Sequence, residues 1–345
     1  MANHSPLLEA NKKPGVHYAL TPDGLELPIV DVTHPAFALS VTATEQQERV
    51  EAFLKETRQL QQLPELIRTP LLRFLLRGSV LARGIRQSQG SFMAGMDTYL
   101  LKLGPEMLGN AYAKPIDRKI AASLPSLGVR LRLQDIAQML ADCLSDGLSR
   151  DPLRPVHLLN IAGGPAIDSL NALILLSQKY PKALAARKFI IDVLDLDEAG
   201  PDFGEAALKT MSQNGGPLCH LSCTFRRIRY DWSKADDLQP LLRDLRSSNA
   251  LAICSSEGGL FEYGSDQEIL SNLRALRQSE SVLAAVGSVT RADEATRLLH
   301  QTGGAALHLR GLPVFRALAQ EAGWNVTRVV ERPFSDHFTL TQNDS

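Results

Sequence analysis

The chain has 345 residues, of which 44% are hydrophobic, so it can bury a large core and form one large or two ordinary domains. A net charge of -1 indicates no polyanion-binding surface, and nucleic acid is not expected as a partner. No signal segment or membrane-spanning apolar run is evident, and the four cysteines are too scattered for a disulfide framework. A cytoplasmic protein without a membrane partner is therefore expected.

The first part of the chain predicts an extended arm followed by helices. Residues 1–43 alternate Pro, Gly, Asp and short apolar pieces, with a hairpin turn expected at residues 22–24. Helical patterns then begin at Thr44, where Thr-x-x-Gln resembles a capping box. The predicted helices are 44–63, 64–69, 71–87, 96–103, 115–122 and 133–148. We interpret residues 44–150 as a helical cap that contributes to a substrate site.

The helical region contains a run of arginines that invites a nucleic-acid interpretation. These arginines are interleaved with leucines and lack stacking aromatics, so a solvated or salt-bridged helix face explains them better. The arginines concerned are Arg68, Arg73, Arg77, Arg83 and Arg86.

A short apolar segment of the cap is a candidate substrate contact. Two glycines flank Phe92 and Met93, which favours either a mobile lid over a pocket or a plain connector between helices. Tyr99 and Tyr112 are further candidates for substrate binding, because a phenol hydroxyl donates a hydrogen bond. Each of the two tyrosines also fits a half-buried helix position.

A strand, a glycine-rich turn and a helix follow one another after residue 155. Residues 156–161 are a short, largely apolar run that predicts a buried parallel strand. Gly163 and Gly164 permit a tight turn and close approach of a ligand, and Pro165 suits the first turn of a helix over 166–180. Such a unit directs backbone N–H groups and a helix N-terminus at a ligand.

The turn resembles the first motif of the class I S-adenosylmethionine-dependent methyltransferases. That motif is commonly Asp/Glu, a hydrophobic residue and then Gly-Gly/Cys-Gly-Pro-Gly, whereas this chain has Asn160-Ile-Ala-Gly-Gly-Pro-Ala166. Asn160 stands at the acidic position, and Ala162 and Ala166 replace two glycines. The resemblance implies that Asn160, Ala162, Gly163 and Gly164 contact S-adenosylmethionine, and that S-adenosylhomocysteine is the product.

The next two strands carry acids that the resemblance assigns to the same cofactor. Asp195 ends an apolar, β-branched strand, where the family places an acid that accepts hydrogen bonds from both ribose hydroxyls, and Leu196 lies beside it. Asp192 and Asp197 are alternatives if the strand is misregistered.

A third strand, 226–232, ends in Tyr-Asp-Trp. The resemblance places Asp231 near the adenine amino group and Trp232 against the purine. Asp231 is equally suited to cap the turn that follows it.

The fourth strand runs into a polar, Gly-rich loop that begins at Ser255. Loops at the carboxyl ends of strands line the ligand crevice of an open α/β sheet, so Ser255 is expected beside the cofactor. Glu257 and Glu262 are candidates for orienting or deprotonating an acceptor, with Tyr263 as a substrate contact and His300 as a further catalytic candidate. Glu262 equally fits a cap or salt bridge for the next helix.

The same loop is faintly similar to the loop with which protein arginine methyltransferases hold a guanidinium between two glutamates. The glutamates are closer together here, and that substrate is not inferred. If the loop binds a cationic amine or guanidine, carboxylate pairing explains it. Cys219, His220 and Cys223 offer three zinc ligands without a second pair, so no metal site is expected.

The C-terminal pattern completes a sheet. It predicts further elements at 266–278 (helix), 281–289 (strand), 314–322 (helix), and 323–330 with 337–341 (hairpin). The predicted fold is α/β: a Rossmann-like, doubly wound, mostly parallel sheet with a C-terminal antiparallel hairpin. This domain, residues 151–345, follows the mainly helical cap, and the resemblance covers about residues 152–341.

The expected function is transfer of a methyl group from S-adenosylmethionine to an O, N or C atom of a small-molecule acceptor held between cap and sheet domain. Two alternatives stay open. The first is a non-catalytic or regulatory S-adenosylmethionine-binding protein, which Asn160 and the alanine replacements favour. The second is an NAD-dependent oxidoreductase, which is disfavoured because this chain lacks the third glycine and a Tyr-x-x-x-Lys pair. A homodimer is also left open.

Overall fold

The computed structural model describes residues 12–66, 70, 74–148 and 154–342. In the N-terminal arm, strand β1 (Tyr18–Leu20) pairs antiparallel with β2 (Glu26–Pro28). The turn between them is closed by Leu25, whose N–H donates to Thr21 Oγ1 at 2.9 Å. The hairpin therefore forms where the Pro-Asp-Gly run predicts it.

Helices of the cap follow the arm. In the described part of the chain they are α1 (Ala43–Gln62), α2 (Val80–Gln87), α3 (Gly95–Lys102), α4 (Pro115–Ala122) and α5 (Leu124–Leu148). The capping box of α1 is formed by Thr42 and Glu45, not by the predicted Thr44 and its partner. Arg68, Arg73 and parts of the predicted helices 64–69 and 71–87 lie outside the described residues.

Helix α5 begins at Leu124 rather than at the predicted residue 133. The helix continues through Gly128, which in sequence suggests a break. A Cβ on Gly128 would lie 3.3 Å from the carbonyl oxygen of Pro333, so the glycine lets this helix approach the C-terminal hairpin closely. Tertiary packing thus outweighs the local propensity of the residue.

The C-terminal part of the chain is built on a seven-stranded sheet. Its strands are β3 (Val156–Ile161), β4 (Lys188–Asp195), β5 (Ser222–Arg229), β6 (Leu251–Ser256), β7 (Val282–Thr290), β8 (Trp324–Glu331) and β9 (Ser335–Gln342). The order across the sheet is β5-β4-β3-β6-β7-β9-β8; β9 pairs antiparallel with β7 and with β8, and the other neighbouring pairs are parallel. The predicted fold class is confirmed: a Rossmann-like, mostly parallel sheet that ends in an antiparallel hairpin.

Helices connect the strands of this sheet. They are α6 (Ile167–Lys179), α7 (Pro181–Leu184), α8 (Ala199–Met211), α9 (Gln239–Ser247), α10 (Leu260–Tyr263), α11 (Asp266–Arg277), α12 (Glu294–Gly303) and α13 (Gly311–Glu321). The sequence analysis predicts no helix at α8, where Gly200 and Gly204 disfavour one. A Cβ on Gly200 would lie 2.8 Å from Gly164 Cα, and one on Gly204 would lie 2.4 Å from the carbonyl oxygen of Pro165. Both glycines therefore let α8 pack directly on the glycine-rich turn.

The cap and the sheet share a hydrophobic core. One cluster of buried side chains includes Ile29 of the arm, Tyr99 of α3, Ile136 of α5 and Val156 of β3. Burial of this apolar surface holds the cap over the carboxyl ends of the strands. None of the helices in the described ranges combines the length and apolarity that a bilayer crossing requires.

Candidate active site

The carboxyl ends of β3, β4, β5 and β6 open onto a cavity of about 420 Å³, which we call the first cavity. Strands β4 and β5 lie on one side of β3 and β6 lies on the other, so this edge is the topological switch point where open α/β sheets bind ligands. The loop before α3 and the first turns of α3 form the facing wall. The volume lies within the range of small-molecule sites, roughly 300–1,000 Å³.

The glycine-rich turn keeps the left-handed backbone that glycine favours, although alanine replaces glycine at two positions. Ala162 has φ 53°, Gly164 has φ 51° and Ala166 has φ 50°. Ala162, Gly163 and Gly164 line the first cavity. Left-handed alanine costs about 1–2 kcal/mol per residue, so the surrounding structure sustains strain at both alanines.

Asn160, predicted to contact the cofactor, is not among the residues that line the first cavity. Its side chain is fully buried and turned away from the cavity, and its Nδ2 donates to Asp168 Oδ1 at 2.7 Å, Ser169 Oγ at 3.1 Å and Ser255 Oγ at 3.0 Å. Its Oδ1 occupies the space that a Cβ on Gly163 would fill, 1.1 Å from that position. Asn160 and Ser255 therefore stabilise the turn through buried hydrogen bonds, and neither lines the first cavity.

Asp195 lies at the end of β4 and lines the first cavity. The N–H of Gly164 donates to its Oδ2 at 2.9 Å, and the N–H of Asp197 donates to its Oδ1 at 3.0 Å. Burial raises the pKa of Asp195, against the opposing effect of these backbone hydrogen bonds. Each carboxylate oxygen has a second lone pair, so Asp195 can still accept two donors from a ligand.

The alternative acids lie in different places. Asp192 is fully buried and accepts from His157 Nδ1 at 2.6 Å and Arg226 Nε at 2.5 Å, away from the first cavity. Asp197 lines the cavity, and its carboxylate accepts from the N–H groups at the start of α8. Asp195 is thus the acid held directly against the glycine-rich turn.

Aromatic side chains surround the mouth of the first cavity. The Phe92 ring meets Trp232 and Tyr263 edge to face, with centroid distances of 6.1 and 6.4 Å. Asp231 and Leu196 also line the cavity, together with Tyr230, which the sequence analysis does not predict. Asp231 Oδ1 accepts from Ser233 N–H at 3.0 Å, so Asp231 closes its own turn as well as facing the cavity.

Glu257 and Glu262 do hold a guanidinium, but it belongs to the chain itself. Arg132 of α5 donates through Nε to Glu257 Oε1 at 2.9 Å, and through Nη1 to Glu262 Oε1 and Oε2 at 3.1 Å. Lys102 of α3 forms an ion pair with Glu257 Oε2, and Ser288 Oγ donates to Glu262 Oε1 at 2.6 Å. All five side chains are buried.

Both glutamates are already paired in this network, which disfavours their predicted role of orienting or deprotonating an acceptor. Burial alone would raise the pKa of Glu257, but the ion pairs with Lys102 and Arg132 outweigh it and hold the pKa below its usual range. A carboxylate that binds two cations is a poor proton acceptor. Within the network, the glutamates join cap helices α3 and α5 to the loop after β6.

A second cavity of about 350 Å³ lies between the cap and the C-terminal strands. It meets the first cavity at Met93, Thr98, Gly258 and Tyr263, which line both. Most of its surface is apolar. His300 of α12 lines its wall, and the buried Nδ1 of that ring has no hydrogen-bond partner in the described part of the chain. A volume of about 350 Å³ lies within the range of small-molecule sites, roughly 300–1,000 Å³.

Tyr263 is poised at the junction as a hydrogen-bond donor. Burial, reinforced by the nearby Glu262 carboxylate, raises the pKa of Tyr263 to about 12. The phenol therefore stays protonated at neutral pH. Of the predicted substrate contacts, Met93 and Tyr263 line both cavities, whereas Phe92 lines the first cavity only.

Two predicted substrate contacts lie elsewhere. Tyr99 is fully buried; its hydroxyl donates to the Pro28 carbonyl at 2.6 Å and accepts from Val30 N–H at 3.1 Å. It therefore anchors the N-terminal arm to α3. Tyr112 packs at the edge of the core shared by cap and sheet. Neither tyrosine lines the first or the second cavity.

Several residues at or near the junction were not predicted from the sequence as site residues, namely Thr98, Lys102, Arg132 and Gly258. Arg132 and Lys102 belong to the cap, far along the chain from the glutamates they neutralise. Charge balance is the signal that points to them, because two buried carboxylates require buried cations nearby. In the described residues, no group of three or more His, Cys, Asp or Glu side chains is arranged to hold a metal ion.

The sequence matches no protein-family model and no curated protein. Among solved structures, the pyocyanin biosynthetic protein PhzM is similar with a TM-score of 0.38 and 12% identity, over 64% of this chain and 58% of that one. A 1,6-didemethyltoxoflavin-N1-methyltransferase from Burkholderia thailandensis, with bound 1,6-didemethyltoxoflavin and S-adenosylhomocysteine, has a TM-score of 0.38 and 13% identity, over 62% and 79%. The chain spans less than two thirds of PhzM, and likeness at this level carries no argument about the reaction.

Proposed function

We propose that this chain, which has the Rossmann-like fold of class I methyltransferases, methylates a small, largely apolar acceptor with S-adenosylmethionine. The observation that carries the proposal is the meeting of two cavities at Gly258 and Tyr263. The first cavity offers carboxylates, backbone amides and aromatic rings that suit an adenosyl group, and the second has a mostly apolar lining. Joined cavities of these two kinds suit group transfer between a cofactor and a small molecule.

The residues around the first cavity fit S-adenosylmethionine. The Asp195 carboxylate has acceptor capacity for the two ribose hydroxyls, and Trp232 offers an aromatic face for adenine. Gly163 and Gly164 leave room for close approach of the sugar and the amino-acid tail. When bound, the cofactor supplies an electrophilic methyl group on a sulfonium.

The second cavity holds the acceptor in this proposal. Tyr263 donates a hydrogen bond at the junction and thereby orients the acceptor toward the first cavity. His300 takes the place of the two neutralised glutamates as the candidate for accepting a proton, because it lines the second cavity and its buried Nδ1 has no partner within the described residues. The Arg132 network excludes cationic acceptors, since both of its carboxylates are already paired.

Calorimetric titration with S-adenosylmethionine, followed by mass spectrometry on a panel of phenols, amines and acids, tests the proposal. Binding with a methylated product on at least one panel member is expected. Binding without any product would favour the alternative of a non-catalytic binding protein. No binding of S-adenosylmethionine or S-adenosylhomocysteine would overturn the proposal.

Replacing Asp195 with alanine is expected to weaken cofactor binding by roughly 2 kcal/mol, because two ribose hydroxyls lose their acceptor. Calorimetry measures the change. Asp197→Ala is the matched control: its carboxylate also lines the first cavity, but it is bonded to the start of α8. Equal losses in the two variants would rule out the ribose role of Asp195.

Cofactor affinity is also expected to fall on acidification. Because burial raises the pKa of Asp195, this carboxyl gains a proton at a higher pH than an ordinary aspartate does. The protonated form loses acceptor capacity, so affinity is constant above the raised pKa and declines below it. Calorimetry across a pH series checks this, and Asp195→Asn should flatten the acidic decline. An identical decline in the variant would assign it to another group.

A further inference from the structure

The far wall of the second cavity contains a pair of hydroxyl side chains on adjacent strands. Thr290 of β7 and Ser335 of β9 are direct partners in the antiparallel ladder, so their side chains project to the same face. Both line the second cavity. Thr290 is 3% exposed, and its Oγ1 has no hydrogen-bond partner within the described ranges. A buried hydroxyl without a partner costs free energy that a ligand can recover.

The orientation of the Ser335 hydroxyl follows from the residues behind it. His337 Nδ1 lies 2.8 Å from Asp135 Oδ2, and His337 Nε2 lies 3.0 Å from Ser335 Oγ. Arg332 also donates to both Asp135 oxygens, at 2.7 and 3.0 Å. Burial opposes ionisation, but hydrogen bonds from His337 and Arg332 outweigh it and lower the pKa of Asp135.

His337, held by Asp135, occupies one hydrogen-bonding position of the Ser335 hydroxyl through Nε2. A hydroxyl has two lone pairs and one proton, so Ser335 Oγ keeps at least one lone pair for a ligand whichever of the two groups donates. Thr290 Oγ1, beside it, is free to donate. The wall therefore offers one acceptor and one donor side by side.

We propose that Thr290 and Ser335 form a recognition site for a neutral hydroxyl group of the acceptor, such as a phenol. The ligand O–H donates to Ser335 Oγ, and the ligand oxygen accepts from Thr290 Oγ1. An ether lacks the proton for Ser335, and a carboxylate has only acceptors. Asp135 and His337 act as positioning residues, because they fix the direction of the Ser335 hydroxyl without touching the ligand.

The site lies beyond the junction of the two cavities. Ser288, two positions before Thr290 on the same face of β7, accepts from Gly258 N–H at 3.2 Å and so marks the junction. Two residues of an extended strand span about 7 Å, which is close to the length of one substituted aromatic ring. The hydroxyl bound here is therefore remote from the atom of the acceptor that is methylated. Which end of the acceptor is methylated rests on the proposed function, whereas the binding of a hydroxyl at Thr290 and Ser335 does not.

A pair of matched probes tests the site: 2-naphthol and 2-methoxynaphthalene, which differ in the hydroxyl proton. Wild-type protein is expected to bind 2-naphthol on the order of tenfold more tightly, as titration calorimetry measures, because the hydroxyl satisfies two buried groups. Thr290→Val and Ser335→Ala should each reduce the preference to about twofold, with binding of the ether unchanged. Valine replaces threonine at equal size, so ether binding also verifies folding.

Ser126→Ala is the matched control. Ser126 lines the same cavity, but its Oγ donates to the Ile120 carbonyl at 2.7 Å, so its removal should keep the wild-type preference. Equal binding of the two probes by wild-type protein, no binding of either, or a preference that survives both Thr290→Val and Ser335→Ala would overturn the inference. Titration with S-adenosylhomocysteine in parallel reports on the proposed function separately, since that ligand belongs to the first cavity.

Discussion

Replacing Arg132 with methionine is expected to lower the free energy of unfolding by roughly 3–5 kcal/mol. The guanidinium is buried and bonds to both Glu257 and Glu262, so its removal leaves carboxylate charge in the interior without enough cations. Methionine keeps much of the side-chain volume, so the loss reports charge rather than packing. Urea denaturation followed by circular dichroism measures the change.

Two further variants show whether charge is the cause. Arg328→Met removes an exposed partner of Asp142 and should cost less than about 1 kcal/mol. Adding Glu262→Gln to Arg132→Met should recover part of the loss, because the Lys102 and Glu257 pair then remains balanced. If Arg132→Met were as mild as Arg328→Met, the network would not join cap and sheet as described.

Replacing Gly163 with alanine is expected to destabilise the fold by roughly 3 kcal/mol, because overpacking a buried turn displaces its neighbours. The added Cβ would fall 1.1 Å from Asn160 Oδ1, which is itself held in place by a buried hydrogen-bonded cluster. Cofactor affinity should fall in the same variant, since the displaced turn lines the first cavity. Chemical denaturation and calorimetry measure the two effects.

Gly303→Ala is the control for this substitution. A Cβ on Gly303, at the end of α12, would meet nothing within 4 Å, so this change should be neutral or slightly stabilising. Asn160→Ala combined with Gly163→Ala should cost less than the sum of the two single changes, because the second change occupies the space that the first vacates. Additive losses would show that the clash is not the cause.

Much of the fold and one side of the site follow from local pattern. Apolar strands that end in glycine or acidic residues predict both the sheet and the edge at which ligands bind, and Asp195 and Gly164 meet there. These features are predictable because each depends on residues close together in sequence. The position at which a strand ends therefore predicts which residues lie at the ligand-binding edge of the sheet.

Side chains that have a distant partner could not be placed from local pattern. Tyr99 bonds to Pro28, 71 positions earlier, and Glu262 bonds to Arg132, 130 positions earlier. Asn160 and Ser255 lie on neighbouring strands but face the interior rather than the cavity. Because buried parallel strands are apolar on both faces, their sequence does not reveal which face a polar residue will take.

The crystal structure of the protein with S-adenosylhomocysteine tests the central claim most directly. Ligand density is expected in the first cavity, with both ribose hydroxyls on the Asp195 carboxylate, adenine against Trp232, and sulfur facing the junction at Gly258 and Tyr263. Density for the ligand at any other place, or a first cavity filled by the chain's own side chains, would contradict it.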